Sequence, residues 1–318
     1  MITEKRIASL DIGISAVMLL LVSCDKSDHF EIINEFGGIS RLGLGISKTN
    51  LLSDEKMEAT LNICKEIIDI TEKSGVDKII VTASSGIKNA INKTQFLISC
   101  RTKFNIFPNI LTEQEEAKLI YKGATSKYLD EERPIIVIEV GGDSTYIAFG
   151  RKGTMIKSNI IEIGSFHIFD NPNKYNGILS FLNPKLKYFI SDNFTSFRNE
   201  ILSWLDGRKP VVICSGTLAS VLYSALIGKL VVSRSSMEGK VCSVKSLHKV
   251  YRSVNRKKLE DRKKLPGIDA ERAQTLPTAL NILSEILKLL GTHEFTLTAN
   301  GLRTGILKSY TEKNSFLE

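Results

Sequence analysis

The chain has 318 residues, 42% hydrophobic and 25% charged, which excludes an intrinsically disordered polymer and allows a sizeable buried core. That length exceeds what one core usually serves, so two domains are expected, with one large barrel as the competing architecture. A formal charge of +8 favours anionic ligands such as phosphates, nucleotides or nucleic acid without choosing among them.

The first elements are two short apolar runs, Arg6 to Ile12 and Val17 to Val22, separated by Gly13-Ile14-Ser15. They read as strand, tight turn, strand. The run ending at Cys24 also imitates a lipoprotein signal, but Asp11 and Gly13 interrupt it, whereas a secretory core is about 7 to 15 unbroken apolar residues. A third strand follows at His29 to Phe36. Ser53 then offers an N-cap, and Met57, Leu61, Cys64 and Ile68 recur at helical spacing until Gly75 stops the helix. Next come a strand at Lys78 to Thr82, a helix around Thr94 to Arg101, a strand at Asn105 to Leu111 and a helix from Glu113.

After the polar segment Ser126 to Arg133 the pattern restarts with an apolar strand, Ile135 to Ile138, running into Glu139-Val140-Gly141-Gly142 and a second strand. Strand, acidic residue, glycine turn and strand thus occur in both halves, which suggests a divergent internal duplication. Later, Val211 to Cys214 forms a strand and Gly216-Thr217 opens a helix. Leu276, Leu280, Leu283, Leu287 and Leu290 mark an amphipathic helix, followed by a strand at Glu294 to Thr298 and a final helix after Gly301. Alternating strands and helices define an α/β class, and the hairpin opening each half implies mixed sheets. The expected domains are 1–125 and 126–300, with the final helix, 301–318, packing back on the first. No run of about 20 apolar residues marks a membrane span.

A glycine turn between strands exposes backbone N–H groups that can cradle phosphate oxygens, and two such turns would clamp a phosphate chain. Either turn alone is better explained by a glycine used for positive φ, and it is the pairing of both with an acidic residue that favours phosphate. Asp11 and Glu139 each end an apolar strand, where a carboxylate is costly to bury unless it meets a cation or a donor. A magnesium site explains both, as do hydrogen bonds from their own turns. In Thr112-Glu113-Gln114-Glu115-Glu116, Thr112 and Glu115 fit a capping box and Glu113 suits the helix dipole. Glu116 is left as a candidate general base or a solvated carboxylate. Ser215-Gly216-Thr217, between strand and helix, is a third phosphate candidate that plain N-capping explains equally well.

The charged run Arg252 to Lys264 reads as a solvated helix face or as a holder of a long polyanion. The cysteines, Cys24, Cys64, Cys100, Cys214 and Cys242, form no CxxC pair and no ligand spacing with His29, His167, His248 or His293. That argues against zinc and disulfide frameworks and for a reducing cytoplasm.

Several stretches resemble the exopolyphosphatase / guanosine pentaphosphate phosphatase family, over Ala8 to Leu307. They are Arg41-Leu42-Gly43-Leu44-Gly45 with Leu52-Ser53-Asp54-Glu55, Glu115-Glu116-Ala117-Lys118-Leu119-Ile120-Tyr121, Leu265-Pro266-Gly267-Ile268, and Gly301-Leu302-Arg303-Thr304-Gly305-Ile306-Leu307. The resemblance implies two actin-like ATPase domains of the ribonuclease-H type, each a mixed five-stranded sheet flanked by helices, with a cleft between them. It implies magnesium-assisted attack of water that releases terminal phosphate from polyphosphate or guanosine pentaphosphate. The catalytic base falls on Glu116, the metal on Asp11, Glu139 and Asp143. Phosphate contacts fall on Gly13, Ser15, Lys88, Gly141, Gly142, Ser144, Thr145, Ser215, Gly216 and Thr217. The implied partner is polyphosphate or a guanosine polyphosphate, without specific nucleic acid or membrane, and a homodimer is allowed for.

Departures from the family pattern are specific. Its Asp-Ile-Gly-Ser-Asn-Ser turn reads Asp11-Ile12-Gly13-Ile14-Ser15-Ala16, so Ile14 replaces a hydroxyl. Its Asp-Ile-Gly-Gly-Gly-Ser-Thr-Glu reads Glu139 to Tyr146, with Asp143 adding a charge and Tyr146 replacing a carboxylate. Lys88 and His167 each stand where an arginine is usual. Alternatives to hydrolysis are a non-catalytic sensor of nucleotide or polyphosphate, and a kinase-like phosphotransferase on the same fold.

Overall fold

The computed structural model of the protein describes residues 5–25, 30–166 and 184–312. His29 and His167 lie outside these segments, so the first residue of the expected third strand and the arginine-replacing histidine are not described. The chain divides into two compact units, Met1–Leu119 with Leu302–Glu318, and Ile120–Gly301.

The first unit opens with the strands β1 (Lys5–Ile12), β2 (Ala16–Cys24) and β3 (Phe30–Ile39). The short helix α1 (Ile46–Thr49) and the long helix α2 (Asp54–Lys73) follow. Ser53 caps α2 by accepting from the Lys56 N–H, as its position before the apolar repeat requires. Then come β4 (Lys78–Ala83), α3 (Lys93–Phe104), β5 (Asn109–Ile110) and α4 (Glu113–Ala124). The strand order is β3-β2-β1-β4-β5, with β1 antiparallel to β2 and parallel to β4.

Burial on both faces explains why β2 reads as an almost unbroken apolar run. Val17, Leu19 and Leu21 join one core cluster with Ala8, Leu10 and Ile12, under Met57, Leu61, Cys64 and Phe96 of the helices. The alternate residues Leu20, Val22 and Cys24 enter a second cluster with Ile7, Leu119, Ile306 and Leu307.

The second unit carries β6 (Ile135–Val140), β7 (Thr145–Arg151), β8 (Thr154–Ile161), the helix α5 (Pro184–Leu205), β9 (Val211–Cys214) and α6 (Gly216–Ile227). It continues with α7 (Arg234–Met237), β10 (Lys240–Ser243), α8 (Val244–Asn255), α9 (Leu259–Arg262), α10 (Leu276–Leu289) and β11 (Glu294–Leu297). The last helix, α11 (Leu302–Thr311), belongs to the first unit and packs on β1 and β2.

In the second sheet the order is β10-β11-β9-β6-β7-β8. Without β10 it repeats the first: an antiparallel three-stranded meander whose opening strand, β6, also pairs parallel with β9, as β1 pairs with β4. This sheet therefore has six strands where five were expected. The addition is a four-residue antiparallel edge strand, Lys-Val-Cys-Ser, too short for its alternation to stand out.

Two further expectations are corrected. The strand expected over Asn105 to Leu111 shrinks to Asn109–Ile110, because Asn105 caps α3 in the left-handed region at φ 53. The charged run is not one helix face: α8 ends at Asn255, and α9 is a single turn. Arg262 inside the run is buried and donates to the carbonyls of Val254, Lys257 and Ala273, tying that loop together.

Candidate active site

In the first unit, β1 and β4 run parallel and finish side by side, with Ile12 opposite Ala83. Asp11 sits one residue before that end, opposite Met18 on β2 and Thr82 on β4. Its carboxylate accepts a long hydrogen bond from the Thr82 hydroxyl at 3.4 Å. Burial pushes the Asp11 acid up to about 6, against the Arg303 charge and the Thr82 hydroxyl, which both pull it down. Arg303 lies on α11 and pairs with Glu35 at 3.1 Å. Sequence reading found Asp11 through its anomaly in an apolar strand but gave Arg303 no role beside it.

Beyond β4 the chain turns through Ser84 and Ser85. Ser85 donates to Glu116 twice, from its hydroxyl at 2.6 Å and its backbone N–H at 3.2 Å. Glu116 is buried in the first turn of α4. The expected capping box is present, since Thr112 N–H reaches Glu115 at 2.7 Å and Glu115 N–H reaches the Thr112 hydroxyl at 3.3 Å. Glu115 thus faces the helix end and Glu116 the interior. Ser85, which fixes Glu116, was missed, because two adjacent serines after a strand look like an ordinary turn. Lys88 follows on the exposed side of the same loop.

The hairpin bends are closed alike: the Gly13 N–H donates to the Ala16 carbonyl and the Gly141 N–H to the Ser144 carbonyl, both at 2.9 Å. Those two N–H groups, expected as phosphate donors, are committed to the turns. Nor is positive φ the reason for glycine, since Gly13, Gly141 and Gly142 all keep negative or extended φ values. The reason is space: a Cβ would come within 3.0 Å of the Ala16 oxygen at Gly13, and within 2.9 Å of the Ser144 oxygen at Gly141. Ile14, which replaces a hydroxyl, is buried in the core against Gly43, where a Cβ would overlap it. The Ser15 carbonyl accepts from Ser40 and Arg41, binding the bend to the loop behind it.

In the second unit the corresponding edge is formed by β6, β9 and β11, which run parallel. Glu139 projects beside its cross-strand neighbour Tyr146. The Ser215 hydroxyl donates to Glu139 Oε2 at 2.6 Å. Two glycines let this carboxylate lie directly on backbone: a Cβ on Gly216 would stand 2.7 Å from its Cδ, and one on Gly301 would stand 2.6 Å from its Oε2. Gly216, at φ +73, opens α6. The helix terminus expected to receive phosphate therefore already faces the carboxylate of Glu139, a charge it stabilises.

Thr145, expected to touch phosphate, instead donates its buried hydroxyl to the Ile163 carbonyl at 2.6 Å. Ser165 and Phe166 donate to the Gly141 and Gly142 carbonyls, bracing the bend from behind. Gly142 and Asp143 remain partly exposed, Ser144 is buried, and Thr217 is exposed on the first turn of α6. Among the described residues no three His, Cys, Asp or Glu side chains gather as a metal cluster. Magnesium does not need one, because it keeps several waters and takes one or two carboxylates together with substrate phosphates.

Two mixed sheets flanked by helices, built on one repeated strand order with acidic residues at the carboxyl ends of central strands, define the actin-like ATPase fold. Residues 21–314 match the Ppx/GppA phosphatase family, and the chain belongs to it. It is similar in structure to an exopolyphosphatase from Cytophaga hutchinsonii, with a TM-score of 0.85 at 19% identity over 97% of this chain and 98% of that one. An Aquifex aeolicus member of the Ppx/GppA family gives a TM-score of 0.75 at 22% identity, over 98% of this chain and 99% of the other. A curated relative, the bifunctional 3-dehydroquinate synthase/phosphatase of Fusobacterium nucleatum subsp. nucleatum, is 28% identical over 194 residues, 58% of this chain. That stretch is 28% of the Fusobacterium protein, so the chain spans under a third of its length. No helix among the described residues is long and apolar enough to cross a membrane.

Proposed function

We propose that the chain is a phosphohydrolase that removes the terminal phosphate from inorganic polyphosphate or guanosine pentaphosphate. The observation that carries this reading is the buried Glu116 carboxylate, held by both donors of Ser85 just past the end of β4, the strand that pairs with Asp11. Membership of a phosphatase family and the likeness to an exopolyphosphatase favour the same chemistry.

In this reading Glu116 orients the attacking water and takes its proton. Asp11 and Glu139 are the residues that would hold magnesium, directly or through water, with Asp143 as a further carboxylate. Their chemistry fits: the Asp11 acid is raised to about 6 by burial, and a bound divalent cation would favour its charged form. When bound, magnesium offsets the charge of the phosphoryl oxygens. The inner N–H groups of the two bends, rather than those of Gly13 and Gly141, contact phosphate together with Ser15, Lys88, Gly142, Ser144 and Thr217. Positioning and electrostatics supply the catalysis, as for phosphoryl transfer generally.

The test is orthophosphate release by the purified chain with magnesium, on polyphosphates of several lengths and on guanosine pentaphosphate. Glu116→Gln should lower release by about 10² to 10⁴-fold, the usual contribution of a general base, and leave substrate binding in place. No release from any of these substrates rejects hydrolysis. One observation favours a second reading, binding without turnover: Tyr146 is buried directly opposite Glu139, where the family pattern has a carboxylate. Saturable binding of guanosine tetraphosphate by a chain that releases no phosphate supports that sensor.

A further inference from the structure

The parallel strands β6, β9 and β11 end on one edge of the second sheet, and ligands of α/β sheets bind beyond such carboxyl ends. That edge carries an acidic side chain, Glu139, clasped by Ser215 and lying against Gly216 and Gly301. A phosphate arriving there meets repulsion unless a cation accompanies it.

One side chain is built to supply that cation. Asn300, buried and adjacent in sequence to Gly301, accepts from Arg234 Nη1 at 2.7 Å. Asn300 is itself held, since its N–H donates to the Thr298 hydroxyl at 3.0 Å, and that hydroxyl donates to the Glu238 carboxylate at 2.8 and 2.9 Å from its two oxygens. Arg234 begins α7 and Glu238 caps its end, so the one-turn helix is fastened to the end of β11 at both termini. The Ser233 hydroxyl closes the N-terminus by accepting from the Ser236 N–H at 3.2 Å. This bracket holds Arg234, a partly exposed residue, on the side chain of Asn300, the neighbour in sequence of the glycine that lies against Glu139.

We propose that Arg234 is a substrate-binding residue that grips a phosphoryl group of a polyphosphate chain, with Asn300 as its positioning residue. The inference rests on the phosphohydrolase reading and extends it to a residue outside the family-like stretches. A planar guanidinium meets phosphate through two parallel hydrogen bonds, which an ammonium cannot do.

The test is calorimetric binding of tripolyphosphate to the full chain, with steady-state kinetics on polyphosphate alongside. Arg234→Gln should weaken binding by about 10- to 100-fold, the range for loss of a charge-assisted hydrogen-bonded contact, and raise KM more than it lowers kcat. Arg234→Lys should recover only part of the affinity. Asn300→Ala should raise KM with Arg234 still present. If Arg234→Gln fails to fold, a several-fold weakening in Arg234→Lys at unchanged melting temperature carries the test. Wild-type affinity and KM in both Arg234 variants would overturn this inference alone. A wild-type chain that neither binds tripolyphosphate nor hydrolyses any polyphosphate overturns it together with the reading beneath it.

Discussion

At Asp11 two effects oppose each other: burial favours the neutral acid, while Arg303 and Thr82 favour the carboxylate. Burial wins, moving the acid from its ordinary 3.8 to about 6. The folded chain therefore binds this proton more tightly than the unfolded chain, and Asp11 makes stability fall as pH rises from about 4 to about 6. Above that window the penalty is fully present, at most about 3 kcal/mol if each pKa unit is worth about 1.4 kcal/mol. Asp11→Asn should thus melt several degrees higher than wild type at pH 7.5, and the gain should vanish near pH 4. An equal gain at both pH values would place its cause elsewhere. If Asp11 holds magnesium, adding the metal at pH 7.5 should raise the melting temperature of wild type but not of Asp11→Asn. A second residue pair separates backbone strain from a local clash. Gly45 and Gly216 both have left-handed φ, +87 and +73, but a Cβ at Gly45 meets nothing within 4 Å, whereas one at Gly216 meets the Glu139 carboxylate. Gly45→Ala should cost about 1 to 2 kcal/mol in urea denaturation and leave phosphate release near wild type. Gly216→Ala should cost at least as much and also lower release by more than tenfold, since Glu139 must move.

Among the elements, those legible in the sequence had a physical signal strong enough to survive without context. β1, β2 and β6 show themselves because both faces are buried, which makes the run apolar throughout and leaves Asp11 and Glu139 conspicuous at its end. The duplication was legible for the same reason, and the shared strand order explains it. β10 is a short edge strand with one buried residue, Cys242, so its composition says little. The candidate site was legible only through anomalies. Glu116 stood out after capping had explained its neighbour, but its anchor Ser85 did not. Nor did Asn300 and Arg234, whose meaning comes from tertiary hydrogen bonds between segments 66 residues apart. For the bend glycines Gly13 and Gly141 the positive-φ explanation does not hold and close approach does, a difference that leaves no mark in a sequence. Gly305 illustrates the difference. It lies inside α11, where exchanging glycine for alanine ordinarily stabilises by about 1 kcal/mol. Here a Cβ would overlap the Leu119 carbonyl oxygen of α4. Gly305→Ala should therefore destabilise by about 1 to 3 kcal/mol in chemical denaturation, the usual cost of overpacking. A stabilised variant would refute close approach as the reason for this glycine.

Over the whole molecule, the path of the chain sets what each unit needs. The second unit is continuous, Ile120–Gly301, with its own core running through β6, β7, β9, β11 and the helices α5, α8 and α10. The first unit is split, and its second piece begins at Leu302. That piece is not an appendage: Ile306 and Leu307 are fully buried, closing a cluster that includes Ile7, Leu20, Val22, Ile80, Leu111 and Leu119. Fully burying each such side chain contributes about 1.5 to 3 kcal/mol, so losing two and uncovering their partners removes a large part of a domain stability of about 5 to 15 kcal/mol. Arg303 leaves with the same helix, and with it the charge that holds the Asp11 acid down. A chain ending at Gly301 should therefore be cut rapidly by protease within 1–119, while a fragment of about the 120–301 span persists with its helical circular dichroism. It should also release no phosphate, although Glu116 and Glu139 are both retained. Equal protease resistance of the two units would show that the first sheet stands without its last helix, and the split would then be only a detail of connectivity.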